Sequence, residues 1–122
     1  MKLRIKGNSL RLRLSKTEVQ QLSKKNIIAE MISFGDSMLG YSLTAKTGIE
    51  KPEALFTDNN IIVSVPDTFA AAWPDNQIVG TDCEQEIGEN IFLKILIEKD
   101  FQCLDENTED QSDNYINPNS TC

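Results

Sequence analysis

The chain has 122 residues, 39% of them apolar and 25% charged, with 12 Lys and Arg, 19 Asp and Glu, no histidine and a net charge of -7. That is one domain's worth of ordinary globular composition, with no apolar run near the about 18 residues of a membrane span and no apolar leader core behind the first charges, so the expectation is a cytoplasmic protein. Without histidine the usual general base, the Ser/His and Cys/His nucleophile pairs and the commonest zinc ligand are all missing.

Residues 1–25 hold eight of the 12 cations and a single carboxylate, Glu18. Everything after them is strongly acidic. Leu3-Arg4-Ile5-Lys6 and Leu10-Arg11-Leu12-Arg13-Leu14 alternate apolar and basic residues with the period of a half-buried strand, and Gly7-Asn8 between them suits a two-residue hairpin turn. That register sets Ile5 against Leu10 and Leu3 against Leu12 on a core face. It sets Arg4 against Arg11 and Lys2 against Arg13 on the other. Like charges placed opposite one another cost about 0.2–1 kcal/mol a pair, so carboxylates or an anionic partner should offset them.

Ser15 and Glu18 form a capping-box pattern, which predicts a helix of about two turns anchored by Val19 and Leu22 and ended by Lys24-Lys25-Asn26. Strands are expected over 27–34 and from Leu39 to Ala45, joined by the turn Gly35-Asp36-Ser37. The same order then recurs about 51 residues on. Ala54 and Phe56 stand for Leu3 and Ile5, Asp58-Asn59 for the turn, and Ile61, Val63 and Val65 for Leu10, Leu12 and Leu14. Pro66 to Trp73 is the second short helix, with Trp73 in the place of Leu22, and strands over 78–86 and 91–101 follow. The last of these, apolar on both faces, should be the most buried.

The predicted fold is therefore α+β and mostly β: two hairpin-helix-hairpin halves, 1–46 and 52–101, related by duplication. They would form a closed or nearly closed antiparallel sheet with two short helices at its ends or flanks. The expected domain is 1–104, followed by an acidic segment, 105–122, in which Tyr115, Ile116 and Pro118 could anchor a docked tail. The order of hairpin, helix and strand resembles the swapped-hairpin domain of bacterial transition-state regulators and antitoxins over about the first 30 residues of each half. The chain as a whole resembles a small bacterial family catalogued only as a domain of unknown function. That likeness rests on Lys6-Gly7-Asn8-Ser9-Leu10-Arg11-Leu12-Arg13-Leu14, on Glu98-Lys99-Asp100-Phe101-Gln102-Cys103-Leu104 and on Asp113-Asn114-Tyr115-Ile116-Asn117-Pro118. It implies no activity, cofactor or catalytic residue.

Motifs for chemistry are few. No phosphate-binding glycine loop exists among six glycines, and the stretch from Asp105 lacks the Gly and the final Glu of a calcium loop, so neither cofactor nor metal is expected. Cys103 beside Asp100 reads better as a structural thiol than as a nucleophile. The pairs Glu84/Glu86 and Glu98/Asp100 read better as solvated rows than as catalytic carboxylates.

The candidate site is the basic hairpin face: Lys2, Arg4, Lys6, Arg11 and Arg13. The leading functional reading is a small, non-catalytic binding or interaction protein that takes a protein partner or an anionic ligand on that face. The acidic remainder disfavours nucleic acid. Two alternatives are a nucleic-acid-associated regulator of swapped-hairpin type and an enzyme using Cys103 or a carboxylate pair.

Overall fold

The computed structural model describes residues 1–101 and 112–116. Eight strands run β1 (Lys2–Lys6), β2 (Ser9–Leu14), β3 (Ile27–Ser33), β4 (Met38–Lys46), β5 (Glu53–Thr57), β6 (Asn60–Pro66), β7 (Gly80–Gly88) and β8 (Ile91–Lys99). The helix α1 (Lys16–Lys25) follows β2, and α2 (Asp67–Ala72), continued by a 3-10 turn from Trp73 to Asp75, follows β6.

The local expectations hold for local reasons. Gly7 takes a positive φ of 57° at the first hairpin turn, and Asp58 and Asn59, at 50° and 62°, give the third hairpin the two left-handed residues of a primed turn. At the start of α1 the Ser15 hydroxyl accepts from the Glu18 amide at 3.2 Å while Glu18 accepts from the Ser15 amide at 2.8 Å. Asn26, at φ 65°, closes the helix in the left-handed region. It runs ten residues, nearly three turns rather than two.

The sheet arrangement is a correction. Two separate four-stranded sheets form, in the orders β1-β2-β8-β7 and β3-β4-β6-β5, and neither closes on itself. Neither is antiparallel throughout, because β2 runs parallel to β8 and β4 parallel to β6. Each sheet thus joins one hairpin from the first half of the chain to one from the second. A short turn fixes the pairing within each hairpin, and nothing local in the sequence selects which hairpins become neighbours. Where β5 and β7 face each other across the two edges, side chains replace a ladder: the Ala54 amide donates to Gln85 Oε1 at 2.7 Å and the Cys83 thiol to the Pro52 carbonyl at 2.9 Å.

The two short helices are expected at the ends or flanks of the sheet. Both lie at one end, packed on each other, with Ser23 Oγ donating to the Ala71 carbonyl at 3.4 Å. Leu14, Leu22, Val65 and Trp73 are fully buried there, and the Trp73 indole donates to the Ile78 carbonyl at 2.9 Å. The four hairpin turns lie at the opposite end, which no helix covers. Core-side residues near those turns, among them Ile5 and Phe56, are consequently exposed, at 59% and 65%.

Between the sheets the core rows are Leu3–Leu12–Ile97–Thr81 and Ile28–Leu43–Val63–Ala54. Leu12, Leu43, Val63, Ile95 and Ile97 are buried as the alternation requires. On β8 only this face is buried, whereas Phe92 and Leu96 point outward, so that strand is not covered on both sides.

The outer faces differ sharply. In the first sheet the outward rows read Arg4–Arg11–Leu96–Asp82, Lys6–Ser9–Lys94–Glu84 and Lys2–Arg13–Glu98–Gly80. In the second they read Ala29–Ser42–Ile62–Leu55, Met31–Gly40–Asn60–Thr57 and Ile27–Thr44–Ser64–Glu53. Tyr115 and Ile116 are almost fully exposed, at 101% and 94%, and anchor nothing. Most of the acidic segment, with Cys103 and Cys122, lies outside the described residues. No helix among the described residues is long and apolar enough to cross a membrane.

Candidate functional site

Hairpin pairing brings the five predicted cations together with the expected register, Lys2 against Arg13 and Arg4 against Arg11. The parallel neighbour β8 then divides them into two groups. Toward the helices, Lys2 Nζ lies 2.8 Å from Asp100 Oδ2, and Arg13 stands beside Glu98 in the register. Toward the turns, Arg4, Lys6 and Arg11 line a groove of about 420 Å³ whose other walls are Gly7, Ser9, Lys94 and Leu96.

The groove follows from side-chain size. Gly7 and Ser9 have almost nothing to project, while the long side chains of Lys6 and Lys94 stand on either side of Ser9 in one row. Leu96 gives the depression an apolar floor beside Arg11. The Arg11 guanidinium is held from below, its Nε 3.0 Å from Glu98 Oε1, with only 16% of its side chain exposed. A planar, permanently charged group held in this way contributes a fixed positive charge at the edge of the groove.

Lys94 was missed from the sequence reading. Its strand reads as buried, and only the pairing of Ser9 with Lys94 carries that ammonium to the basic hairpin. The like-charge cost on the hairpin is offset by carboxylates from β8 and the residue after it, Glu98 and Asp100. This also accounts for one of the two carboxylate pairs. Glu84 and Glu86, with Asp82, line the far side of the same face on β7.

A second polar cluster joins the sheet edges near β1 and β3. The Met1 α-amine, buried, contacts Glu18 and lies 2.8 Å from Glu30 Oε2, and Tyr41 donates to the Met1 carbonyl at 3.0 Å. Burial opposes charge on that amine, but hydrogen bonds and charge from Glu18 and Glu30 outweigh it and leave its pKa raised. Burial likewise pushes Glu18 up, and the hydrogen bonds it receives from Met1 and Ser15 outweigh that, so its pKa falls below 4.5. For Tyr41, burial and then the Glu30 charge raise the phenol.

Cys83 borders a cleft of about 410 Å³ with Glu53 and Glu84. Burial, reinforced by the Asp82 charge and only partly opposed by Lys51, pushes its thiol up, so it is protonated at neutral pH. A protonated thiol bound to a backbone carbonyl is a weak nucleophile. Among the described residues no group of three His, Cys, Asp or Glu side chains is placed to hold a metal ion.

The family model described as a family of unknown function, DUF7009, matches residues 1–119, and the chain belongs to that family. No curated protein and no solved structure matches it.

Proposed function

We propose that this member of a family without an assigned activity is a small, non-catalytic binding protein that holds a compact, multiply charged anion on its basic hairpin. The observation that carries this reading is the convergence of Arg4, Lys6, Arg11 and Lys94 on one groove with small residues between them. Lys2 and Arg13 flank it and steer rather than grip. The acidic row of β7 borders the site only through Glu84, which pairs with Lys94, and no β7 residue lines the groove, whereas a polymer crossing the strands would meet Asp82 and Glu84. A phosphate group fits this geometry better than an extended nucleic acid does.

The reading extends to organisation. Residues 1–104 act as one domain, and 105–122 is an acidic extension. The halves arose by duplication: Lys2↔Arg13, Leu3↔Leu12 and Ile5↔Leu10 in the first hairpin correspond to Glu53↔Ser64, Ala54↔Val63 and Phe56↔Ile61 in the third, all shifted by 51 residues. The cytoplasm is the setting in which such a chain would act. The exchange of hairpins between halves favours a second reading, a regulator of swapped-hairpin type that contacts nucleic acid through the same face.

Calorimetric titration of the full chain with tripolyphosphate at low salt tests the first reading. Binding should weaken at least about tenfold in Lys6→Gln and in Lys94→Gln, each the loss of one charge-assisted contact. Absence of binding, or equal binding by both variants, removes the groove as the site. Tight retention of duplex DNA by the full chain, with a log-log salt slope of about -3 to -4 for four engaged cations, would favour the regulator instead.

A further inference from the structure

The second sheet exposes a face that has no counterpart on the first. At its centre are Ala29, Gly40 and Ser42, and Met31 and Leu55 stand exposed around them, at 62% and 53%. Among the described residues, the outward-facing positions of these four strands carry ionisable side chains only at Lys46 and Glu53, at the helix end, where the two lie 2.7 Å apart. The Asn60 carboxamide lies across Gly40, where a Cβ would sit 2.0 Å from Asn60 Oδ1, and this levels the surface. A solvent-facing sheet face is ordinarily polar and charged, as the first sheet of this same protein is.

We infer that this face is the contact surface for a second copy of this chain, packed sheet against sheet about a twofold axis. Charge selects the occupant. With a net charge of -7, two copies repel through most orientations, whereas the outward positions of β3, β4, β5 and β6 let them meet with Lys46 and Glu53, already paired, as the charges between them. A cationic partner would be drawn to the β7 row and an anionic one to the basic groove. An ordinary charged protein surface laid on this face would bury charges without partners.

The size sets the strength. Four strands about 4.8 Å apart and seven residues long at about 3.3 Å each present a projected area of about 440 Å². Specific interfaces bury about 800 Å² of accessible surface per partner. A face of this extent falls at the small end of specific interfaces and suits a reversible dimer rather than a permanent one. The inference is independent of the anion groove, which lies on the other sheet.

Sedimentation velocity of the full chain from about 1 to about 200 µM brackets such an equilibrium. The expected result is a concentration-dependent shift from monomer to dimer that persists in 0.5 M NaCl, roughly a threefold rise over physiological ionic strength. Met31→Lys and Ala29→Glu should each raise the dissociation constant at least about tenfold. Both change solvent-facing positions, so an unchanged far-ultraviolet circular dichroism spectrum and urea midpoint would show the fold intact. Lys94→Glu, on the other sheet, should leave association unaltered. A wild-type chain that stays monomeric throughout, a dimer undiminished in both folded variants, or a dimer abolished by salt and by Lys94→Glu would overturn the inference.

Discussion

Leu12→Ala is the most direct probe of how the sheets are put together. Leu12 is 1% exposed and lies in the core row between Leu3 on β1 and Ile97 on β8. Truncation to Ala removes three carbons, a transfer loss of about 2.4 kcal/mol at about 0.8 kcal/mol per buried methylene. A cavity that neighbours on two strands cannot fully close adds to this, so a total of about 3–4 kcal/mol is expected within the usual range of about 2–5. Ile5 provides the internal comparison. It sits on the same face of the same hairpin, yet it is 59% exposed at the uncovered end, so Ile5→Ala should cost only about 1 kcal/mol when the transfer loss is scaled by burial. Equilibrium urea unfolding at pH 7, with m-values compared to establish that two-state behaviour is retained, measures both. A loss below about 0.5 kcal/mol for Leu12→Ala would mean the hairpin faces are reversed. Equal losses at the two positions would mean that the end beyond the turns is covered after all.

Gly80→Ala should be among the most damaging single changes. Its Cβ would lie 2.1 Å from the Ile97 carbonyl oxygen, a backbone atom that cannot step aside without opening the β7–β8 ladder; a loss of about 2 kcal/mol or more, or failure to fold, is expected in urea unfolding, and a loss below about 0.5 would show that β7 does not begin there. Glu18 links stability to acid. Its folded pKa lies below its ordinary 4.5, so its contribution is present above that value and is lost as pH falls through the folded pKa. Urea midpoints measured from pH 7 downward should show a smaller acid loss for Glu18→Gln than for the natural chain, and identical pH profiles would dismiss the carboxylate as a contributor.

Features that depend on residues a few positions apart are legible in the chain itself. Alternation in Leu10 to Leu14 and in Ile61 to Val65 defined strands and their buried faces, because side chains two apart share a face. Gly7 and Asp58-Asn59 defined hairpin turns through the backbone angles those residues tolerate, and Ser15 with Glu18 defined the start of α1 through two short hydrogen bonds. Hairpin registers followed, since a two-residue turn leaves no freedom in pairing. The cation cluster was legible for the same reason.

Which hairpin lies beside which is settled by the folded chain alone. The choice rests on non-local packing, as where Trp73 and Leu22, from the two halves of the chain, are buried together at one end. That choice makes the central pairs parallel and leaves the sheets open. It also sets Lys94 beside Ser9 to complete the groove, and gathers the uncharged outward residues of β3, β4, β5 and β6 into one face. Each of those residues is unremarkable in its own strand, and they become a surface only when two distant hairpins are laid side by side.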